Sequence, residues 1–460
     1  MRQVRVRMYR PGGIGDCFLL SFPTGKGMAH MLIDCGVLKG TEDAGNRMQA
    51  VMADIVKTTG GLLQVLVVTH EHWDHVSGLL QAETAFKQLS IGEVWLAWTE
   101  RPGDNLAKQL REQRAQAHRA VEAARQKLRL SAAPAASAAL RALDSLNLFS
   151  EGFAAAGGKT TAAAMAWARQ GTGAQVRWLS PGDAPLAIAG VDGVRAFILG
   201  PPRDPRQLRQ SDPSKRAPEV YQLAGGMDLG LMAALSQVGG MDTGRPFDPS
   251  FEKPVEKAQE DSFFRKFYYS AEDWRQIELD WLGAAERLAL QLDSDTNNTS
   301  LVVAIELLDS GRVLLFPGDA QVGNWLSWES LEWTVEDRDG KRFKIDAKDL
   351  LARTVLYKVG HHASHNATLR EKGLELMQST ELAAMIPVYE GQAQAQGKNG
   401  WEMPFGPLLE RLRQKTLGRV MRADVGLPDA RREAMPENVA QEFGKRIALT
   451  EDYIDYMISL

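Results

Sequence analysis

Residues 65–75 read Val-Leu-Val-Val-Thr-His-Glu-His-Trp-Asp-His. The first four are apolar and mostly β-branched, which is typical of a buried strand. Four of the next six positions after Thr69 carry metal-ligand side chains, namely His70, His72, Asp74 and His75. His70 and His72 can face one point, and Asp74 and His75 a neighbouring point. Because the chain has only 8 histidines, this clustering predicts a metal site where a strand ends.

A second histidine cluster, residues 358–365, reads Lys-Val-Gly-His-His-Ala-Ser-His and also follows an apolar run, residues 354–357. Between the two clusters, the apolar run 313–316 leads through Pro-Gly to a lone carboxylate, Asp319. Each of three predicted strand ends is thus followed by side chains that can bind a metal. We expect these ends to belong to one rigid sheet and to form a two-metal site.

The ligand types restrict the choice of metal. Three imidazoles and a carboxylate suit zinc, manganese or iron(II), whereas calcium and magnesium prefer all-oxygen ligand sets. Two such cations about 3.5–4 Å apart can polarise a phosphoryl or carbonyl oxygen and activate a water. The sequence therefore predicts two divalent metals, Zn or Mn, and a metal-dependent hydrolase.

These motifs resemble those of the metallo-β-lactamase fold. The first cluster is similar to that fold's His-x-His-x-Asp-His signature, Asp319 to its metal-bridging aspartate and His362 to its last histidine. More narrowly, the chain resembles the soluble nuclease-like domain of ComEC-type competence proteins. Four segments carry this closer resemblance, in the family's order: a glycine-rich strand, an LIDTG-like strand, an NNSLVL-like strand and an LKVGHHGS-like segment, at residues 13–20, 32–36, 297–303 and 357–364.

The resemblance covers roughly residues 4–100, 176–202 and 295–425. It implies an α+β fold, an αββα metallo-β-lactamase sandwich enlarged by helical and irregular insertions. One fold hosts many reactions, so the resemblance is less specific for the substrate than for the fold. The competence proteins' membrane channel has no counterpart here, so DNA uptake is not implied.

The resemblance also implies roles for the candidate residues. His70 and His72 would hold one metal, Asp74, His75 and His362 the other, and Asp319 would bridge them. Asp74 would also orient the attacking water.

Other residues near the motifs are expected to assist. The leaving group needs a proton donor, for which His365 and His361 are candidates and Lys358 a weaker one. Asp16 and Asp34 are expected to hold ligand imidazoles or loop amides in place. The alternative for these two carboxylates is turn formation at strand ends, and for His365 it is a surface loop.

Two departures from the family pattern matter. Ala363 stands where a glycine usually follows the double histidine, which is similar to the Gly-His-Ala-Ser segment of RNase J-like and CPSF-like nucleases and favours His362 over His361 as the ligand. Many members also have a histidine before the bridging aspartate, but none occurs here between His118 and Asp319. Either one metal is short of a ligand, or Asn298 or water fills that position.

Composition limits the class of protein. The formal net charge is only −4, so binding to a polyanion would require a local basic patch. The only two cysteines, Cys17 and Cys35, exclude a disulfide framework. We recognise no signal peptide and no apolar run of transmembrane length. These features predict a cytoplasmic protein with no membrane partner.

We expect one domain over residues 1–460 with two insertions. The first, 101–175, is helical, and its start at 101–130 has eight Lys/Arg against three Asp/Glu, which we interpret as a solvated helix face. The second, 203–294, is rich in Pro and Gly up to residue 262. An aromatic run at 263–269, expected to dock on the core, and a helix over 271–292 then follow.

Three functions remain open from the sequence. The first is a phosphodiesterase or nuclease acting on DNA, latent until the segment 203–262 is moved or cleaved by a regulatory protein or protease. The second is a small-molecule hydrolase of the same fold, such as a lactonase, thioesterase or phosphocholine esterase. The third is a regulated effector or interaction module with a masked site. A narrow closed pocket would favour the second, and an open basic groove the first.

Overall fold

A computed structural model gives the fold of this chain as α+β, with two large mixed sheets and helices. It describes residues 2–129, 140, 141, 143–146, 148, 149, 160–211, 253, 255–269, 288–337, 340–396, 400–426 and 435–460. Most of the segment 203–262 and the predicted helix 271–292 up to residue 287 lie outside these ranges.

The first sheet has eight strands. Its order is β16-β17-β1-β2-β3-β4-β5-β6, antiparallel from β16 to β3 and parallel from β3 to β6. The strands are β1 Gln3–Tyr9, β2 Cys17–Thr24, β3 Gly27–Cys35, β4 Leu62–Val68, β5 Ser90–Ala97, β6 Gln175–Leu179, β16 Ile447–Leu449 and β17 Tyr453–Ser459.

The second sheet has seven strands in the order β15-β14-β13-β10-β9-β8-β7, parallel from β15 to β10 and antiparallel from β10 to β7. The strands are β7 Leu186–Ala187, β8 Val194–Gly200, β9 Val302–Leu307, β10 Arg312–Phe316, β13 Thr354–Lys358, β14 Ala383–Ile386 and β15 Val420–Arg422. A separate antiparallel pair is formed by β11 Glu332–Glu336 and β12 Arg342–Asp346.

Helices connect and cover these strands. In chain order they are α1 Ala44–Thr59, α2 Trp73–Gln81, α3 Glu83–Phe86, α4 Asn105–Arg129, α5 Thr161–Ala166, α6 Pro205–Leu208, α7 Val255–Glu260, α8 Ser262–Phe264, α9 at 288–297, α10 Val322–Ser327, α11 Ala347–Ala352, α12 Glu390–Gln394, α13 Gly406–Thr416 and α14 Glu437–Arg446. Among them, none is both long and apolar enough to cross a bilayer, as far as the described ranges extend.

The hydrophobic cores explain why β4 reads as a continuous apolar run. Val65 and Val67 pack in a cluster that contains residues of both large sheets. The alternate residues Leu66 and Val68 pack in a second cluster with helices α1 and α2. Successive strand residues point to opposite faces, so a strand buried on both sides needs apolar residues at every position.

Several predicted elements occur close to their expected bounds. The apolar spacing of Ala50, Val51, Ile55 and Val56 predicts a helix over residues 46–57, and α1 occupies Ala44–Thr59. The first insertion, predicted to be helical, contains the long helix α4. The three ligand-bearing strand ends are β4, β10 and β13, but β4 belongs to the first sheet and the other two to the second. The expectation that one sheet carries all three ends is therefore wrong.

The aromatic run also departs from expectation. Phe263 is 63% exposed and Phe267 is 51% exposed, so these two rings do not dock on the core. They contact each other instead, with ring centroids 5.2 Å apart.

Candidate metal centre

The first histidine cluster forms the junction between β4 and α2. His72 precedes the helix and Asp74 lies in its first turn, where the positive end of the helix dipole stabilises a carboxylate. The backbone of this junction is held by the loop after β1, because Asp16 N donates to Asp74 O at 3.0 Å. Gly36 packs so closely that a Cβ there would lie 2.4 Å from Asp74 backbone atoms.

Four side chains converge at the centre of the molecule. His75 Nε2 lies 3.2 Å from Asp319 Oδ2 and 3.7 Å from Asp74 Oδ2. His362 Nε2 lies 2.8 Å from Asp74 Oδ2 and 3.6 Å from Asp319 Oδ2. Ligand atoms around a tetrahedral zinc are about 3.4 Å apart, given bonds near 2.1 Å. The spacing of these four atoms therefore fits one metal ion.

Asp16 belongs to the same buried cluster. Asp16, His75, Asp319 and His362 form a buried group that could hold a metal ion. Asp16 approaches the Nδ1 atoms of His75 and His362, at 3.7 Å and 3.8 Å, and it also forms an ion pair with Lys358. Its carboxylate therefore lies behind the imidazoles, whereas Asp74 faces their Nε2 atoms.

Hydrogen bonds fix which nitrogen of each imidazole faces the centre. His75 Nδ1 donates to Asp34 Oδ2 at 2.8 Å, and His362 Nδ1 donates to the Pro387 carbonyl at 2.8 Å. Carboxylate and carbonyl oxygens only accept here, so both Nδ1 atoms carry a proton. Both Nε2 atoms therefore face the centre, and His362 Nε2 donates to Asp74 Oδ2 at 2.8 Å. A cation bound there would displace the Nε2 protons, as in metal sites in which a carboxylate or carbonyl orients the histidine.

Asp34 also holds Thr69 and, through it, orients His70. Its Oδ1 accepts from the Thr69 backbone N–H at 2.8 Å, and its Oδ2 accepts from the Thr69 hydroxyl at 2.7 Å. Since the hydroxyl proton goes to Asp34, Thr69 Oγ1 is free to accept from His70 Nδ1 at 3.1 Å. One carboxylate thus orients His70 as well as His75.

His70 and His72 form a second potential site beside the first. Their ring centroids are 4.7 Å apart, and His70 lies 4.2 Å from the His75 ring. Both side chains are 2% exposed, yet neither Nε2 atom has a hydrogen-bond partner among the described residues. Buried nitrogens without partners are costly in a folded protein, and a bound cation would remove that cost.

The unpartnered atoms show that the donor set fits a metal. Buried polar atoms are almost always hydrogen-bonded in native proteins, but several ligand-type atoms at this centre are not. They are His70 Nε2, His72 Nε2, His75 Nε2, Asp74 Oδ1, Asp16 Oδ1 and Asp293 Oδ1.

The carboxylates and imidazoles strongly affect one another. Burial alone lowers the pKa of His75, but the surrounding carboxylates, Asp319 first, raise it well above its usual range. Burial opposes ionisation of Asp319, but the charges of His75, Lys358 and His362 hold its pKa well below its usual range. For His72, burial lowers the pKa to about 3. His72 is therefore neutral, as a metal ligand must be.

Lys358 lies beneath the centre. It is 1% exposed, donates to the Gly318 carbonyl at 2.9 Å and lies 3.2 Å from Asp319 Oδ1. Together with its ion pair to Asp16, these contacts enclose the ammonium group among oxygen acceptors. This geometry indicates that Lys358 balances the negative charge of Asp16 and Asp319 rather than donating a proton to a leaving group.

The two other donor candidates are placed differently. His361 is 7% exposed, and its Nδ1 contacts the Ser364 hydroxyl at 2.7 Å while its Nε2 lies 3.5 Å from Asn297 Nδ2. His365 is only partly buried, with its ring 6.2 Å from that of Phe405. His365 is thus the least buried of the three candidates.

Asn298 does not replace a missing ligand. Its side-chain oxygen accepts from Gln321 N at 3.1 Å and from Asn324 N at 3.3 Å, and its Nδ2 donates to the Gln210 carbonyl at 3.0 Å. Its amide oxygen is committed to backbone N–H groups that follow Asp319, and its Nδ2 to the loop at Gln210, so its part is to join these two loops.

Two features of the site were missed in the sequence. Asp293 Oδ1 lies 3.7 Å from His72 Nε2, and burial, reinforced by Asp74 and Asp319, raises the pKa of Asp293 to about 8. Asp293 stands in a helical stretch without a histidine nearby, so no local pattern pointed to it.

The second missed feature lies in the first insertion. Arg114 of α4 is 6% exposed and lies 3.0 Å from Glu71 and 3.3 Å from Glu100. Glu71 sits between the candidate ligands His70 and His72, so this ion pair ties α4 to the junction between β4 and α2. The interpretation of α4 as only a solvated face is wrong at this position.

No protein-family model matches this chain, and no curated protein is detectably similar to it. Its function is therefore inferred from its own residues.

Proposed function

We propose that this protein is a metal-dependent hydrolase of the metallo-β-lactamase fold, resembling the nuclease-like domain of ComEC-type proteins, and that it hydrolyses phosphodiester bonds in DNA. The observation that carries the proposal is the convergence of Asp74, His75, Asp319 and His362, whose facing atoms lie 2.8–3.7 Å apart. These residues come from three separate strand ends.

The packing of the molecule supports the proposed αββα sandwich. One hydrophobic cluster contains residues of both large sheets, a second joins the second sheet to α10, α11 and α13, and a third joins the first sheet to α1, α2 and α5. This arrangement is the one expected when two sheets face each other between outer helices.

We assign His70 and His72 to one cation, Asp74, His75 and His362 to the other, and Asp319 to both. Zn²⁺ or Mn²⁺ bound there would lower the pKa of a water molecule and polarise a phosphoryl oxygen. Asp74 Oδ1 has no hydrogen-bond partner within the described ranges, so it could accept a hydrogen bond from the attacking water. His365 is assigned as the donor to the leaving group, because it is the least buried of the three candidates.

A second candidate function is favoured by the burial of the site. His70 and His72 are each 2% exposed, while Asp74, His75 and His362 are fully buried. A site this closed suits a small ester or lactone better than a duplex. It also suits a latent nuclease. The backbone oxygen of Ser211, near the start of the Pro/Gly-rich segment 203–262, accepts a hydrogen bond from Asn366 Nδ2 at 3.5 Å. That segment therefore begins next to His365.

One experiment separates these possibilities. Purified protein is incubated with Zn²⁺ or Mn²⁺ and with linear, circular or single-stranded DNA, and in parallel with p-nitrophenyl ester, lactone and phosphocholine substrates. Each assay is repeated after limited trypsin treatment and with the double variant Asp74→Ala/His75→Ala. DNA cleavage that disappears in the double variant supports the nuclease, whereas ester or lactone turnover alone supports the second candidate. Cleavage that persists in the double variant would remove this site from consideration.

A further inference from the structure

The two halves of the centre differ in their supply of ligands. Asp74, His75 and His362 face one point together with Asp319, whereas His70 and His72 supply only two nitrogens of their own. Catalytic metal sites in proteins are usually held by at least three side chains. The half that contains His70 and His72 therefore needs another ligand besides the shared Asp319.

Asp293 lies where such a ligand is needed. Its Oδ1 is 3.7 Å from His72 Nε2, close to the separation of about 3.4 Å expected between neighbouring ligands of one tetrahedral ion. Both of these atoms are buried, and neither has a hydrogen-bond partner in the part of the chain that the structure describes. The other oxygen, Oδ2, accepts from Asn297 Nδ2 at 3.2 Å. That contact orients the carboxylate and leaves Oδ1 directed at His72.

Among the residues that the structure describes, no lysine or arginine acts on Asp293 to neutralise it. Its side chain is 14% exposed, and the charged groups that act on it are Asp74, Asp319 and His362, two of them negative. A carboxylate taken out of water beside other carboxylates is strongly unfavourable unless a cation compensates it. A divalent ion between Asp293 and the two histidines would provide that compensation.

We propose that Asp293 is a ligand of the cation held by His70 and His72, and that it takes the place of the histidine missing between His118 and Asp319. This inference rests on the proposed two-metal centre but not on the substrate. It gives the first metal two imidazoles and two carboxylates. Carboxylate ligands suit manganese better than imidazoles do, so this position is expected to favour Mn²⁺ more than its neighbour does.

The test measures metal content and affinity, independently of activity. Wild-type protein and the variants Asp293→Ala, Asp293→Asn and Asp293→His are stripped with chelator and titrated with Mn²⁺ and Zn²⁺. Bound metal is quantified by mass spectrometry and Mn²⁺ by electron paramagnetic resonance. The matched control is Asp295→Asn, because Asp295 lies on the same helix but accepts from Gln291 at 2.5 Å. Circular dichroism establishes that each variant is folded.

We expect two metals per chain in the wild type and in Asp295→Asn. Asp293→Ala and Asp293→Asn should hold one, or bind the second at least about 10-fold more weakly, since even residues that only orient ligands contribute 10–100-fold. Asp293→His should keep two metals with its preference shifted from Mn²⁺ towards Zn²⁺. If folded Asp293→Ala binds two metals with unchanged affinity, the assignment of Asp293 as a ligand is overturned, but the proposed two-metal centre is not. Fewer than two in the wild type would overturn the centre itself.

Discussion

At the scale of single residues, this site depends on side chains that hold each other in one protonation state. His75 is oriented by Asp34 through its Nδ1 at 2.8 Å, and Asp34 is in turn fixed by Thr69. Asp319 is held between His75 on one side and Lys358 on the other, at 3.2 Å from each. Because each group is buried, loss of one partner leaves another charge without compensation.

Asp319 is the residue on which both proposed cations depend. We predict that Asp319→Ala reduces bound metal from two ions per chain to one or none, because one carboxylate no longer neutralises both cations. Metal content after dialysis measures this directly. Asp192→Ala, at an exposed position, is the control and should keep both ions. Retention of two ions in Asp319→Ala would refute the bridging role.

Lys358 provides a prediction about stability. Lys358→Met removes the buried cation that faces Asp16 and Asp319, so we expect a loss of about 3–5 kcal/mol in the free energy of unfolding of metal-free protein. Urea denaturation measures it, with Lys348→Met as the control. Lys348 is on the surface, with its side chain 58% exposed, and its removal should cost less than about 1 kcal/mol. Equal stability of the two variants would contradict the role of Lys358 as a counter-charge.

At the scale of elements, the loops that contain Gly15 and Gly36 pack closely against the junction between β4 and α2. A Cβ at Gly36 would lie 2.4 Å from Asp74 backbone atoms and 2.6 Å from His75 N. Gly15 has a φ of 156°, and a Cβ there would approach Gly36 O to 2.4 Å. The ligand junction is therefore positioned by backbone contact with neighbouring loops as well as by its own helix.

This close packing predicts the effect of a single methyl group. Gly36→Ala should displace the backbone of Asp74 and His75, with a loss of about 2 kcal/mol or more in stability and weaker metal binding. Gly45→Ala in α1 is the control, because nothing lies within 4 Å of its added Cβ, and alanine there should be neutral or slightly stabilising. Thermal unfolding and metal titration are the measurements. Matching behaviour of the two variants would show that the junction tolerates the methyl group.

At the scale of the whole molecule, the site joins the two sheets. Asp74 and His75 follow a strand of the first sheet, whereas Asp319 and His362 follow strands of the second. Asp74 and His362 are 288 positions apart in the sequence, yet their side-chain atoms lie 2.8 Å apart. A cation bound between them would tie the two halves of the fold together.

Metal binding should therefore stabilise the entire fold. We expect Zn²⁺ or Mn²⁺ to raise the unfolding temperature of chelator-treated protein, with a gain of about 2.7 kcal/mol when free metal is 100-fold above the dissociation constant. Differential scanning calorimetry with and without metal measures the change, and Asp74→Ala/His75→Ala is the control that should lose most of it. An equal shift in the double variant would mean that the metal acts at another place.

Much of this centre was predictable because strand periodicity and ligand clustering are local properties of a chain. The apolar run at 65–68 predicted β4, and the clusters at 70–75 and 358–365 identified ligand-type residues without any knowledge of their distance. The helix α1 was predicted from its apolar spacing, and its bounds differ by two residues at each end. The buried contacts of Arg114 were not predictable, because its partners Glu71 and Glu100 are distant in sequence and the surrounding composition is that of a solvated helix.

The sequence by itself identified the candidate ligand side chains other than Asp293, and it placed them after apolar strands. Only the tertiary structure decided that these strands belong to two sheets, that Asp74 faces the imidazole Nε2 atoms while Asp16 lies behind them, and that Asp293 reaches His72. The physical reason is that periodicity is set by neighbours along the chain. Distances between atoms of different segments are set by how the sheets pack, and no local pattern encodes them.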